Sequence, residues 1–496
     1  MADSPTICVT LGRERLHDLL VDHRRLVADG VRLVEWRLDW LTEPIDLAEL
    51  FAKQPGPVIV TLRRPEDGGR FEGDEDGRLK LLREAMQAGA DYVDLEEHAA
   101  AKIPRLGTAR RIVSLHDFSG TPADLPALHA RLAALDADVV KLATRANSTH
   151  DNTRMLRLVR DSRLPTVGLC MGELGSPTRV LALRCGAPFS FAATGAGAPL
   201  APGQLSFRDM RSLYRCEQLS PATEVYGVIG APIGHSRSPL VHNPAMNHLG
   251  LDKVYLPFLV PPDDLPGFLD DAPELGIKGL SVTIPHKESI LASITDMDPA
   301  VRAIGAANTL VWKDSRIYAY NTDQQAALDS LAAATGQTTA EFRGRSALML
   351  GAGGAAKAIV HGLRQSGAEV IVTSRTVERA RELAKAMGCR AIPWEDRHDG
   401  RPNLIVNCTP LGMSPHVNAT PFEAGALKPG MIVFDTVYNP EQTRLLMQAQ
   451  AAGCTVVSGL EMFLRQAARQ FELFTGHEAP WQIMRDALRQ SQNPGA

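Results

Sequence analysis

Eight short β-rich apolar runs recur before residue 200, most of them separated by stretches with helical spacing. They are ICVTL (7–11), RLVEWRLD (32–39), VIVTLR (58–63), YVDLE (92–96), IVSLHDF (112–118), VVKLAT (139–144), TVGLCM (166–171) and FSFAAT (189–194). Between them lie segments such as LKLLREAMQAGA (79–90) and NTRMLRLVRDS (152–162), whose periodicity predicts helices. Strands alternating with helices predict parallel βαβ units. Eight such units in roughly 200 residues fit the small end of a (β/α)8 barrel, and the connections are too long for a sandwich. Polar residues recur on one face of several strands. Glu35, Arg37 and Asp39 alternate with Trp36 and Leu38, and Thr61 and Arg63 with Val60 and Leu62; Ser114 pairs with His116, and Lys141 with Ala143. Residues two apart share a face. Pointed inward, these sets converge in one barrel, and those near the C-terminal strand ends line its catalytic mouth.

A polar, proline-containing stretch, CEQLSPATE (216–224), marks a boundary. A strand restarts in VYGVIG, and further strand-like runs follow at YLPFLV (255–260), LSVTIP (280–285) and TLVW (309–312). This block reads as one α/β lobe to about residue 323; a second begins near 343 with SALMLGAGGAAKAIVHGL. The expected architecture is α/β throughout. A barrel spans 1–218, a substrate-binding lobe 224–330, and a Rossmann nucleotide-binding lobe 331–485, whose C-terminal helix returns to the substrate lobe.

Bulk properties narrow the class. A length of 496 residues allows about three domains, and 44% apolar with 22% charged residues is ordinary for a globular protein. The net charge of −4 leaves no basic footprint for nucleic acid. Seven cysteines, an odd number with no CxxC pair, fit a reducing compartment, and the cytoplasm is expected. MADSPTICVT has no basic region followed by an apolar stretch, so no targeting peptide is expected. No run of 18 apolar residues occurs, so no membrane span is expected.

The candidate chemistry differs between the halves. Lys141 lies between Val140 and Leu142 with no partner in its own run. Burial disfavours an ammonium and leaves an amine able to attack a ketone. His116, on the preceding strand, could supply the proton transfers that an imine needs. The alternative for Glu35 and Arg37 is an internal salt-bridge network capping the barrel. In the second half, a strand, the loop Gly351-Ala352-Gly353-Gly354-Ala355-Ala356 and a helix form a GxGxxA dinucleotide signature. Ser374, Arg375 and Thr376 close the next strand, with Arg379 one turn on. An NAD site would place an acid there, whereas guanidinium groups and a hydroxyl suit a 2′-phosphate, so NADP is expected. The bland alternative for Arg379 is a solvated helix face. Lys287, in SVTIPHKE, can donate to a carbonyl oxygen as hydride arrives, oriented by Asp323. His235, His242 and His248 lack cysteine or carboxylate companions at ligand spacing. They are read as surface or substrate-lobe histidines, and no metal is expected.

Two resemblances sharpen the picture. Residues 1–210 resemble the type I 3-dehydroquinate dehydratases in EWRLD (35–39), TLR (61–63), GG (68–69), SLHDF (114–118), KLAT (141–144), MGELG (171–175), TR (178–179) and APGQ (201–204). The resemblance implies that Lys141 forms a Schiff base with the substrate ketone and that His116 is the acid/base. It also implies that Glu35, Arg37, Arg63, Asp67, Met171, Arg179, Phe191 and Gln204 surround the polyhydroxy acid. Two positions depart from the family: Asp67 stands where a glutamate usually orients the histidine, and Leu200 where a loop serine usually precedes APGQ. Residues 225–485 resemble the shikimate dehydrogenases in SRSP (236–239), SVTIPHK (281–287), GAANTL (305–310), NTD (321–323), GAGGAA (351–356), SRT (374–376), NCTPLGM (407–413), DTVYNP (435–440) and GLEMFLRQA (459–467). This implies Ser236 and Ser238 on the substrate carboxylate and Thr283, Asn308, Tyr438 and Gln466 around its hydroxyls. Lys287 and Asp323 would be the catalytic pair. Gly351, Ala352, Gly353, Gly354, Ala355, Ser374, Arg375, Thr376, Arg379, Thr409 and Gly459 would form the cofactor site. Ala326 replaces a usual glycine after NTD. Together the resemblances imply a bifunctional shikimate-pathway enzyme that turns 3-dehydroquinate into 3-dehydroshikimate and then, with NADPH, into shikimate. Its partners are those small molecules, with no nucleic acid or membrane. The rivals are quinate as the second substrate, and a catalytically dead ligand sensor.

Overall fold

The computed structural model describes residues 5–195, 203–314 and 316–490, so Leu200 lies outside the described residues. The chain forms two compact units. One holds residues up to Val225 with Ile233–Pro239 and Gly250–Ile277; the other holds Tyr226–Pro232, Leu240–Leu249 and the chain from Lys278 on.

The first unit contains eight parallel strands: β1 (Thr6–Leu11), β2 (Leu33–Arg37), β3 (Val58–Thr61), β4 (Tyr92–Glu96), β5 (Arg110–Asp117), β6 (Val139–Arg145), β7 (Thr166–Met171) and β8 (Phe189–Ala193). Their order, β7-β6-β5-β4-β3-β2-β1-β8, makes a nearly closed barrel. Period-two alternation sorts the side chains. Val34, Trp36, Val60, Val93, Leu95, Val113, Val140 and Leu142 join the apolar core shared with the helices. The opposite face is layered. Cys8, Leu33, Ile59, Ile112, Val139, Val167 and Phe189 fill an apolar floor. Two residues on, Glu35, Thr61, Asp94, Ser114 and Lys141 form a polar layer, all buried. The register aligns Thr61 with Asp94 and Ser114 with Lys141, so this layer is a direct product of strand alternation.

Two expectations shift at the strand ends. The run 32–39 stops being a strand at Arg37, and Asp39 sits in a 3-10 turn, Leu38–Trp40. Arg37 donates to both its carboxylate oxygens, at 2.9 and 2.7 Å. That closed pair draws the chain out of the strand. β3 ends at Thr61, which puts Arg63 on the connection rather than on the strand.

A six-stranded sheet, β10-β9-β11-β13-β14-β12, follows. Its strands are β9 (Glu224–Gly230), β10 (Lys253–Leu259), β11 (Ile277–Val282), β12 (Asp296–Met297), β13 (Thr309–Lys313) and β14 (Arg316–Tyr320). The sequence pattern did not single out β14, whose mixed polarity suits a partly covered strand. The last sheet is wholly parallel and ordered β17-β16-β15-β18-β19-β20. It comprises β15 (Ser346–Leu350), β16 (Glu369–Thr373), β17 (Arg390–Ala391), β18 (Leu404–Asn407), β19 (Ile432–Asp435) and β20 (Thr455–Ser458). Strand order reverses between β15 and β18, the switch point where an open α/β sheet holds its ligand. The helix Gly354–Gln365 leaves from there. The helix Gly459–Thr475 runs back to the first six-stranded sheet's side of the chain, where Gln470 Nε2 donates to Asn308 O at 2.9 Å. Ala326 is buried in the helix Asp323–Thr335, and its methyl belongs to the apolar core.

Of the three histidines, His235 and His248 are exposed. His242 is fully buried, with ring centroids 5.9 and 6.4 Å from those of Phe474 and Phe471. Burial pulls its pKa down to about 3. The unfolded chain binds a proton there near pH 6.5 while the folded chain does not, so stability falls as pH drops from about 6.5 towards 3. Urea titrations at pH 7 and pH 4.5 should show this loss, and His242→Phe should flatten part of it.

Candidate active site

In the barrel, every charge of the polar layer is paired across strands. Lys141 Nζ donates to Asp94 Oδ2 at 2.9 Å and lies 3.7 Å from Glu35 Oε1. Thr61 donates to the same Glu35 oxygen at 2.8 Å, and Ser114 Oγ to Asp94 Oδ1 at 2.5 Å. The Phe191 ring lies 4.1 Å from Lys141 Nζ, so its negative face also attracts the ammonium. Lys141, read as lacking a partner in its own run, is thus ion-paired across strands. Its own run indeed supplies nothing; the partner comes from β4, which pattern along one strand cannot reveal. Asp94 is the functional residue missed in the sequence. Its position between Val93 and Leu95 repeats that of Lys141 between Val140 and Leu142, the one signal that could have found it.

Asp94 also meets Arg63, whose Nη2 is 2.8 Å from Oδ1. Burial alone would raise the Asp94 pKa, but Arg63 and Lys141 outweigh it and hold the carboxyl well below its usual range. Arg63 Nη1 is 3.0 Å from His116 Nε2. His116 is driven well below its usual pKa, first by burial and then by Arg63 and Lys141, so it stands as a neutral imidazole beside the lysine. Arg63, expected to grip substrate, meets Asp94 and His116 in this structure. Asp67 accepts two hydrogen bonds from Arg64, at 2.9 and 2.7 Å; it lines the same cavity as His116 but is committed to the turn. Arg179 is buried, and burial lowers its pKa to about 10. Gln204 donates to Thr10 at 3.2 Å, and Met171 ends β7, buried.

In the second half, Ser236 and Ser238 place their hydroxyls 3.3 Å apart at the start of the helix Ser238–His248. A second group forms around Lys287, whose Nζ donates to Asp323 Oδ2 at 2.5 Å. Asn308 Nδ2 donates to the other Asp323 oxygen at 2.9 Å and to Thr322 Oγ1 at 2.8 Å, and lies 3.5 Å from Gln466 Oε1. Behind it, Gln470 bonds Ser281, Asn308 and Thr309. That buried layer fixes Asn308, and nothing in the sequence pattern distinguished it. Thr283 is half-buried beyond the end of β11, and the Tyr438 ring stacks on Phe463 at 4.5 Å.

The glycine loop suits a dinucleotide. Gly351 has φ +113°, which side-chain residues rarely adopt. A Cβ at Gly353 would meet nothing within 4 Å, leaving the backbone open for a pyrophosphate at the helix N-terminus. Ala352 is buried and Ala355 part-buried beside it. Arg375 is exposed and has no ion pair among the described residues. Thr376 N donates to Ser374 Oγ at 3.3 Å. Thr409 is held by Asn407, at 2.9 and 2.7 Å, and a Cβ at Gly459 would come 2.5 Å from Val437 O. Among the described residues, no three His, Cys, Asp or Glu side chains group as metal ligands, and no helix is long and apolar enough to cross a membrane.

Family models match most of the chain: type I 3-dehydroquinase over 7–221, the shikimate dehydrogenase substrate binding domain over 228–310 and the shikimate 5′-dehydrogenase C-terminal domain over 459–489. Residues 347–458 match the NADP oxidoreductase, coenzyme F420-dependent, model. A chloroplastic bifunctional 3-dehydroquinate dehydratase/shikimate dehydrogenase of Arabidopsis thaliana is 38% identical over 96% of this chain and 84% of its own. The chain belongs to that bifunctional family. The NADP-dependent shikimate dehydrogenase of Methanopyrus kandleri is 42% identical to the dehydrogenase half, over 54% of this chain and 95% of its own. A shikimate dehydrogenase solved with NADP+ superposes with a TM-score of 0.52 at 34% identity, covering 55% of this chain and 96% of its own. A quinate dehydrogenase from Corynebacterium glutamicum solved with NAD gives 0.50 at 28%, over 54% and 99%.

Two substitutions test the geometry of this family member. Asp94→Asn should lower dehydratase kcat by about 10²-fold and reduce the yield of borohydride-trapped adduct, with reductase activity of the same sample unchanged. Gly354→Ala puts a methyl 2.8 Å from Lys287 Cβ and 3.1 Å from its Cδ. It should depress the reductase while dehydratase kinetics stay at the parent value.

Proposed function

We propose that the barrel dehydrates 3-dehydroquinate and that the second half reduces the product, 3-dehydroshikimate, to shikimate with NADPH. The observation that carries this reading is two lysine–carboxylate pairs in one chain, Lys141–Asp94 and Lys287–Asp323. Each stands beside a group suited to complete its reaction.

In the barrel, Lys141 Nζ adds to the substrate ketone and, with loss of water, becomes an iminium. Asp94, Glu35 and the Phe191 face stabilise that cation in place of the ammonium they hold at rest. Neutral His116 takes the proton from the adjacent carbon, and the electron pair flows into the iminium as an enamine. Its return expels the β-hydroxyl, which leaves as water with the proton His116 carries. Hydrolysis then frees Lys141. Arg179 binds the carboxylate, and Glu35, Arg37, Met171 and Gln204 border the ring. Arg63 acts through Asp94 and His116.

In the second half, NADPH supplies the hydride. Gly351, Ala352, Gly353, Gly354 and Ala355 would hold its pyrophosphate, and Ser374, Arg375, Thr376 and Arg379 its 2′-phosphate. Thr409 and Gly459 would border the nicotinamide side. Lys287 donates a proton to the substrate carbonyl oxygen, oriented by Asp323, which Asn308 holds. Thr283, Asn308, Tyr438 and Gln466 bind hydroxyls, and Ser236 with Ser238 the carboxylate. Retention of both serine hydroxyls favours shikimate over quinate. The seven free thiols suit a reducing compartment, and we assign the protein to the cytoplasm.

Mixing the protein with 3-dehydroquinate and NADPH should consume NADPH and form shikimate. Lys141→Ala should abolish this and the borohydride adduct, and added 3-dehydroshikimate should restore NADPH consumption. Faster oxidation of quinate than of shikimate would overturn the choice of substrate.

A further inference from the structure

Glu288 directly follows Lys287 in the short helix His286–Ser289. Its carboxylate holds two cations of the nucleotide-binding lobe. Oε2 accepts from Lys357 Nζ at 2.6 Å and Oε1 from Arg379 Nη2 at 2.9 Å. Lys357 lies in the first turn of the helix leaving the glycine loop, its amide bonded to Gly353 O. Arg379 is one of the two guanidinium groups assigned to the cofactor's 2′-phosphate; the other, Arg375, carries no ion pair among the described residues. An anion of the protein therefore already occupies a cation intended for an anion of the ligand.

We propose that Glu288 competes with the 2′-phosphate for Arg379, and so sets how tightly the phosphorylated cofactor is held and how fast it leaves. This rests on the assignment of Arg379 to that phosphate. Two effects of Glu288 oppose each other. It orders Arg379 before the cofactor arrives, which aids binding, and it repels the incoming phosphate, which hinders it. Arg379 is 52% exposed and Glu288 34%, and exposed pairs of this kind order their partners weakly. A carboxylate close to a phosphate dianion is a direct like-charge contact. Repulsion therefore wins. NAD lacks the 2′-phosphate and does not contest Arg379, so through Arg379 Glu288 acts on one cofactor and spares the other, while its hold on Lys357 is common to both. A carboxylate at this place weakens retention of the oxidised product cofactor, whose departure is often the slow step of a dehydrogenase.

The test measures NADP+ and NAD+ dissociation constants and the NADP+ off-rate on the full-length protein and on Glu288→Gln, Arg379→Gln and the double variant. Glu288→Gln should tighten NADP+ by about fivefold and slow its release, with a much smaller change for NAD+; equal tightening of both cofactors would place the effect at Lys357 and overturn the inference. Arg379→Gln should weaken NADP+, and in that background Glu288→Gln should lose most of its effect. Weaker binding of both cofactors in Glu288→Gln, or no change in NADP+, would overturn the inference and leave Glu288 as a structural tether. If Arg379→Gln leaves NADP+ affinity intact, the assignment of Arg379 falls, and the inference with it. Thermal unfolding of each sample, followed against the parent protein, reports that the dehydrogenase half is folded.

Discussion

A charge taken out of water must meet an opposite charge or it does not stay charged. That constraint organises the barrel from the floor up. Strand alternation forces the residues two beyond Leu33, Ile59, Ile112 and Val139 into the interior, and four of the five members of that layer are Glu35, Thr61, Ser114 and Lys141. Asp94, the fifth, accepts from Lys141 and Ser114 and pairs with Arg63. Arg63 in turn reaches His116. The ion pair of the nucleophile and the placement of Arg63 thus both depend on one carboxylate, and His116 is held neutral against its pull by burial, Arg63 and Lys141.

The dehydrogenase half meets the same constraint with fewer charges. One ion pair, Lys287–Asp323, is fixed by amides rather than by further ions. Asn308 holds Asp323, and Gln470 holds the Asn308 backbone. Amides keep their hydrogen bonds at any physiological pH. The barrel orients its groups with charge; the dehydrogenase orients its lysine through amides and leaves redox chemistry to its cofactor.

The fold was largely legible in the sequence because period-two alternation and the glycine loop are local signals. All eight barrel strands fall within the runs that pattern picks out, or extend them by one or two residues. Lys141, His116, Lys287, Asp323 and the glycine loop were legible from motifs. The pairings were not. Asp94 lies 47 residues from Lys141, Gln470 lies 162 from Asn308, and Glu288 lies 91 from Arg379. Such partners are set by which strands and helices become neighbours, which no window along the chain contains. The end of β2 at Arg37 was misjudged for a related reason: a bidentate salt bridge to Asp39 outweighed the strand propensity of the run.

The turn at Pro65–Asp67 carries a consequence for how this sequence can drift. Asp67 accepts both bonds from Arg64, three residues away, on one oxygen, Oδ2, and His116 takes its contact from Arg63. Selection at position 67 therefore acts at least in part on the shape of a turn. A lineage that loses the arginine at 64 is freed to lengthen or discard the acid at 67, and one that keeps it is not. Across descendants of this chain, positions 64 and 67 should change together, while Arg63, Asp94 and His116 stay fixed as a separate set.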